Sequence, residues 1–331
     1  MAEIDPGYLT TQHGLAVSVA ALLLTSCMHY AEPIEPLNGP NGSPPTTCFD
    51  RLDRLSGEFS LTVVAEEGRE VPLTIFLPQE PGTYPLIGFS HGAFASPTRY
   101  RAMLAPLAAA GYIVIAPMHI DSEDFGATGR PMRSETWRTR NLDMAKALAP
   151  DQKIREALRQ QGYSIVSEQT VSAGHSYGAV IAQLPGGAMA IEPDGSQINR
   201  TNPAVDAVVG WSPPGEVPGM ISAAGWSTLS APTLTITGTT DILPGFIDDW
   251  RAHKASYDYS PEGNRALWVG EGIDHYFGGM FGRERPADEK SQRLFKRALE
   301  ISLNFMDRAI GRTEVCVLSL ATVDEVYQED L

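Results

Sequence analysis

Nine residues, Thr170-Val171-Ser172-Ala173-Gly174-His175-Ser176-Tyr177-Gly178, constrain this chain more than any other stretch. A β-favouring run over 168–171 enters the pattern G-x-S-x-G, and a helix-like segment leaves it from Ala179. A serine between two glycines at a strand-to-helix junction sits on a tight turn. The glycine positions have no room for a Cβ, and the serine takes a strained backbone. Such a turn puts one hydroxyl at the end of a strand. The surrounding chain must then supply a sheet to carry it and a base to activate it.

The rest of the chain alternates strand and helix signals. Residues 58–64 and 71–77 are β-rich and separated by Glu66-Glu67-Gly68-Arg69, a hairpin signal. Residues 84–89 read as a strand ending at Ser90-His91-Gly92. A helix is predicted over 100–110, with Met103, Leu104 and Leu107 on one face, and a strand over 112–117. Residues 119–133, rich in Asp, Gly and Pro, read as a loop. Helices follow over 135–148 and 152–161, and after the serine turn over 179–190. Strands at 204–211 and 234–237, a helix near 246–257, a strand at 266–269 and a helix over 288–310 complete the pattern. This β-α-β alternation predicts an α/β fold, a mostly parallel central sheet with helices on both faces, in one domain over 58–311.

Composition excludes several functions. The 331 residues carry 25 Lys and Arg against 40 Asp and Glu, a net charge of −15, and phosphate binding needs a basic face. Nucleic acid is therefore not an expected partner. The three cysteines, Cys27, Cys48 and Cys316, fit no zinc spacing, and the seven histidines form no H-x-x-x-H cluster, so no metal is expected.

Elements in this order resemble the α/β-hydrolase fold, whose catalytic groups follow as Ser…Asp…His. Asp241 stands just past the strand Thr233-Leu234-Thr235-Ile236-Thr237-Gly238. His275 stands in the loop after 266–269 and before the last helix. With Ser176, three reactive groups fall at the carboxyl ends of three strands, where parallel sheets place their ligands. Serine needs a base, histidine titrates near the working pH, and aspartate orients the imidazole. The rival acids are Asp206, read as lying inside an apolar strand, Asp248, read as helical, and Asp274, next to the base. The oxyanion would be held by the backbone N–H groups of Tyr177 and Ala93, the latter from Ser90-His91-Gly92-Ala93-Phe94. His91, His119 and His175 read as packing or pocket-lining residues. Phe94, Trp211, Met220 and Trp226 are candidates for lining the substrate pocket, with plain packing the equal alternative.

Phe89-Ser90-His91-Gly92, Gly111-Tyr112-Ile113-Val114-Ile115-Ala116-Pro117 and Gly174-His175-Ser176-Tyr177-Gly178 together are similar to one branch of that superfamily. The branch is the dienelactone hydrolase and platelet-activating-factor acetylhydrolase-like group, which includes chlorophyllase and cutinase-type polyester hydrolases. True dienelactone hydrolases use cysteine where Ser176 stands, and Ala179 replaces the last glycine of a common G-x-S-x-G-G. The acetylhydrolases place the acid one strand earlier, where this chain has Gly210 and Trp211. The resemblance implies a serine esterase acting on a small-molecule or polymeric ester without a cofactor. A thioesterase, an amidase or a polyester depolymerase uses the same groups. A non-catalytic envelope lipoprotein is the alternative of a different class.

At the N-terminus, an apolar run over 15–24 ends in Leu24-Thr25-Ser26-Cys27, which resembles a lipoprotein signal with Cys27 as the lipidated residue. No Lys or Arg precedes it, and a plain export signal and an N-terminal helix are the other readings. Residues 28–57, with five prolines between 33 and 45, read as an extended tether, and 312–331 as a C-terminal tail. The expected location is the periplasm or a lipid anchor in the outer membrane, the anchor being the only membrane contact. If Cys27 carries lipid, Cys48 and Cys316 are the remaining thiols in an oxidising compartment, and a Cys48–Cys316 disulfide is expected, against the alternative of two unrelated thiols.

Overall fold

In the computed structural model, which describes residues 46–65, 68–125, 134–282 and 286–330, a nine-stranded sheet carries the other elements. Helix α1 (Cys48–Leu52) precedes β1 (Ser56–Val64), β2 (Glu70–Pro78), β3 (Thr83–Ser90), α2 (Arg101–Ala109) and β4 (Ile113–Pro117). Helices α3 (Ser134–Leu148) and α4 (Gln152–Gln160) lead into the long strand β5 (Ser164–His175), and α5 (Tyr177–Gln183) follows one residue later. A small hairpin, β6 (Met189–Ile191) and β7 (Gln197–Asn199), comes before β8 (Ala207–Trp211), α6 (Ala223–Trp226) and β9 (Thr233–Gly238). The chain ends with α7 (Ala255–Tyr259), β10 (Arg265–Gly270), α8 (Glu289–Ala309) and β11 (Glu325–Asp330).

The sheet order is β1-β2-β4-β3-β5-β8-β9-β10-β11. Pairing is parallel from β4 through β10 and antiparallel at both rims. Alternation along the strands shows why both faces are covered. Tyr112, Val114 and Ala116 join one core cluster with residues of α2 and α8, while Ile113 and Ile115 join a second with residues of α4. On β8, Ala207, Val209 and Trp211 face the α8 side, and Val208 packs with α5. A period of two with both sets buried requires helices on both faces.

Four sequence expectations change. The helix expected over 179–190 stops at Gln183, because Pro185 cannot continue it and the chain reverses at Gly187 with φ 116°. The helix expected near 246–257 begins later: Phe246 N–H donates to Leu243 in a turn around Pro244-Gly245, and a 3₁₀ turn at Trp250–Lys254 precedes α7. The tether expected through 57 ends earlier. From Thr47, which caps α1, the chain is docked: buried Arg51 donates to the Ala110 carbonyl at 2.6 Å and pairs with Asp307. The expected tail contains β11, held to the sheet edge by Glu325, which accepts from Arg297 Nε at 2.9 Å and from the Trp268 indole. Cys48 and Cys316 are joined as a disulfide with Cα atoms 4.8 Å apart, tying α1 to the segment after α8. Cys27 and its signal-like run lie outside the described residues. Among the described residues, no helix is long and apolar enough to cross a membrane.

Candidate active site

Ser176 occupies the one residue between β5 and α5, with φ 55° and ψ −124°. Its N–H donates to the Trp211 carbonyl on β8 at 2.8 Å, which anchors the strained turn to the next strand. The glycines are there for space. A Cβ on Gly174 would collide with the Gly178 carbonyl, and one on Gly178 with the Ser90 carbonyl of β3.

Asp241 follows β9 and His275 follows β10, and the structure brings both to Ser176. His275 Nε2 lies 2.9 Å from Ser176 Oγ, and its Nδ1 lies 2.7 Å from Asp241 Oδ1. With Nδ1–H donated to the carboxylate, Nε2 presents its lone pair to the serine hydroxyl. Thr237 Oγ1 donates to Asp241 Oδ2 at 2.8 Å. Burial pushes the Asp241 carboxyl up, but the two imidazoles at its oxygen, His253 and His275, outweigh this and hold it well below the usual carboxylate range.

The other candidate acids have partners other than His275. Asp274 Oδ1 accepts from the Tyr276 and Gly278 N–H groups and shapes the histidine loop. Asp206 lies just before β8, not within it, and accepts from Thr170 N–H at 2.8 Å. Asp248 lies in a loop instead of the expected helix, and accepts from Gly245 N–H at 2.9 Å.

His253 was not anticipated. It is fully buried, its Nε2 is 2.9 Å from Asp241 Oδ1 without the alignment of a hydrogen bond, and its Nδ1 is 2.7 Å from the Pro213 carbonyl. Asp241, His253 and His275 are also the one convergent group of metal-type donors among the described residues. Their approaches of 2.7 and 2.9 Å are hydrogen-bonding separations, shorter than two ligands about 2.1 Å from a shared tetrahedral ion would have.

His175 connects the His275 segment to the loop after β3. The Tyr100 hydroxyl accepts from Gly92 N–H at 3.0 Å and donates to His175 Nδ1 at 2.8 Å. His175 Nε2–H then donates to the His275 carbonyl at 2.8 Å. Burial, and then the neighbouring His275, push the pKa of this imidazole well below the ordinary value. Tyr100 carried no sequence signal, because its role depends on a contact with residue 175 that only the fold creates.

A cavity of about 270 Å³ opens over Ser176, lined by Ala93, Phe94, Arg99, Leu243, His275 and Tyr276 among others. Ala93 lines the same cavity as the serine, and no hydrogen bond engages its N–H among the described residues. Tyr177 begins α5, where a first-turn N–H has no partner inside the helix. Of the pocket candidates, Phe94 is at the cavity, with φ 62° and its ring partly exposed. Trp211, Met220 and Trp226 are not. Trp211 packs on Phe277, Phe281 and Phe295 in the core. Met220 and Trp226 are buried in the cluster under α5, where the Trp226 indole donates to Gln183 at 2.8 Å. Each of these side chains falls on the packed side of its element, which its residue type did not disclose.

A family model described as Chlorophyllase matches residues 55–211. Among solved structures, a Klebsiella pneumoniae protein assigned as a dienelactone hydrolase is 17% identical, with a TM-score of 0.51, covering 78% of this chain and 98% of its own. Thermogutta terrifontis esterase 2, phosphorylated by paraoxon, is 16% identical, with a TM-score of 0.53 and coverage of 76% and 94%. A ferulic acid esterase from Streptomyces cinnamoneus is 13% identical, with a TM-score of 0.56 and coverage of 84% and 97%. No curated protein matches the chain. The chain has the α/β-hydrolase fold, and it is similar to the dienelactone hydrolase-like branch.

Proposed function

On this α/β-hydrolase fold, we propose a serine carboxylic-ester hydrolase that works through an acyl-enzyme on Ser176. The observation that carries the reading is the line from Ser176 Oγ to His275 Nε2 (2.9 Å) and from His275 Nδ1 to Asp241 Oδ1 (2.7 Å). His275 takes the serine proton as Oγ attacks the ester carbonyl, and Asp241 stabilises the imidazolium that forms. The N–H groups of Ala93 and Tyr177 receive the oxyanion. The imidazolium then protonates the leaving alcohol, and water activated by the same histidine releases the acid. The esterases among the structural neighbours support this reading.

The cavity, about 270 Å³, is at the small end for ligand sites, which favours short- to medium-chain esters. For location, the reading is an exported, lipid-anchored enzyme. The Cys48–Cys316 disulfide supports an oxidising compartment.

A fluorophosphonate probe that labels the wild type and not Ser176→Ala, together with hydrolysis of p-nitrophenyl esters peaking at short chains, is the expected result. A folded wild type that takes no label and turns over no ester would sink the proposal. Matched thioester and amide substrates separate the ester reading from other acyl hydrolases.

A further inference from the structure

A buried guanidinium lies under the loop that carries Ala93. Arg140, on α3, is fully buried and donates from Nη1 to the His91 carbonyl at 2.6 Å and from Nη2 to the Gly92 carbonyl at 3.1 Å. It holds Asp121 bidentately, with Nε to Oδ1 at 2.9 Å and Nη2 to Oδ2 at 2.7 Å. Asp121 Oδ2 in turn faces the Phe94 N–H at 3.4 Å. Burial pushes the Asp121 carboxyl up, and the Arg140 charge and hydrogen bonds outweigh it and bring it down to about 2. The guanidinium also lies 4.5 Å from the centre of the Tyr177 ring.

The Gly92 carbonyl is the central atom of this arrangement. It accepts from Arg140, from His91 Nδ1–H at 2.8 Å and from Ala95 N–H at 3.3 Å. Gly92 C=O and Ala93 N–H belong to one peptide plane and, in a trans peptide, point in opposite directions. Donors that pin the oxygen therefore aim the hydrogen, and a cation on the oxygen polarises the peptide and makes the N–H a stronger donor. The next residue, Phe94, holds φ 62°, a conformation that persists for a non-glycine only where its surroundings over-determine it. A buried ion pair of this kind adds little stability over an apolar pair of the same size, so what it contributes here is placement.

We infer that Arg140 is the positioning residue of the oxyanion hole: through the Gly92 carbonyl it sets the direction of the Ala93 N–H, and against the Tyr177 ring it steadies the residue that supplies the second donor. The inference rests on Ser176 being the nucleophile, and it adds what makes the hole rigid.

The test compares wild type with Arg140→Gln, Arg140→Lys and the double variant Arg140→Gln/Asp121→Asn, each normalised to the sites titrated by a fluorophosphonate. For Arg140→Gln, kcat per titrated site falls about 10²-fold, comparable to loss of an oxyanion donor. KM stays within about three-fold, and affinity for a trifluoromethyl ketone, which forms a tetrahedral adduct, falls by the same factor as kcat/KM. Arg140→Lys, which keeps the charge and loses the fork, recovers part of the loss. A merely structural role would lower the number of titratable sites and leave kcat per site and ketone affinity where they were, and that result overturns the inference. Should Arg140→Gln not fold, the double variant, which leaves no unpaired buried carboxylate, is judged by the same criteria. An unlabelled, inactive wild type would overturn both this inference and the esterase reading. A labelled, active wild type matched by its variants would overturn only this one.

Discussion

His253 Nε2 lies 2.9 Å from Asp241 Oδ1, and both side chains are fully buried. The same oxygen receives His275 Nδ1 at 2.7 Å, so one carboxylate oxygen lies between two imidazoles. His253 reaches across to the Pro213 carbonyl beyond β8, with Nδ1 at 2.7 Å. His253 therefore stands between the Asp241 loop and the end of the neighbouring strand.

Replacing His253 with alanine leaves the Pro213 carbonyl without that donor and lets Asp241 turn. The expected outcome is a loss of about 1–3 kcal/mol in urea unfolding, from the buried group left unpaired. The fall in kcat should reach about ten-fold with little change in KM, since in the proposed mechanism Asp241 acts on His275 rather than on bound substrate. An unchanged kcat would show that Asp241 needs no support from His253.

Gly178→Ala should fail in a different way. Its Cβ would run into the Ser90 carbonyl, and backbone cannot move aside as a side-chain end can. A destabilisation of at least about 2 kcal/mol is expected, together with lost activity, because the same clash displaces β3 and the Gly92–Phe94 loop after it. Thermal unfolding and ester hydrolysis measured together check this.

Reducing the Cys48–Cys316 bond, or replacing both cysteines with serine, frees α1 from the segment after α8. The cross-link spans 268 residues, and its removal should cost roughly 2–5 kcal/mol in denaturant unfolding. The kcat at 25 °C should be unchanged, because neither cysteine is among the residues lining the cavity over Ser176.

Acid stability should depend on Asp121. Its carboxyl is brought down to about 2 in the folded protein, so between the unfolded-state value and 2 the unfolded chain binds more protons. Its contribution is present above pH of about 4 and is lost as pH falls toward 2, an effect on the order of 2 kcal/mol. In Asp121→Asn the stability measured by urea unfolding should decline less steeply between pH 4 and 2 than in the wild type. An equal slope would show that Arg140 does not hold the carboxylate ionised.

Much of the site was legible because local sequence carries it. Gly174 and Gly178 announce a crowded turn around Ser176, and Asp241 and His275 each come directly after an apolar β run. These signals span a few residues, and the sheet order converts strand ends into neighbours. The misread stretches follow the opposite logic. The helix pattern over 184–190 is cut by Pro185-Gly186-Gly187, and the tail expected over 312–331 holds β11 because Glu325 finds Arg297 and Trp268.

The sequence by itself therefore determined the fold class, the serine turn and the strand ends at which Asp241 and His275 stand, because backbone geometry and hydrophobic alternation act over a few residues. Tertiary structure decided which buried groups support them. Arg140 under the Gly92 carbonyl, Tyr100 between Gly92 and His175, and His253 on Asp241 come from elements far apart in the chain. Their meeting depends on side-chain direction and on the packing of helices over the sheet, which no local pattern of residues encodes.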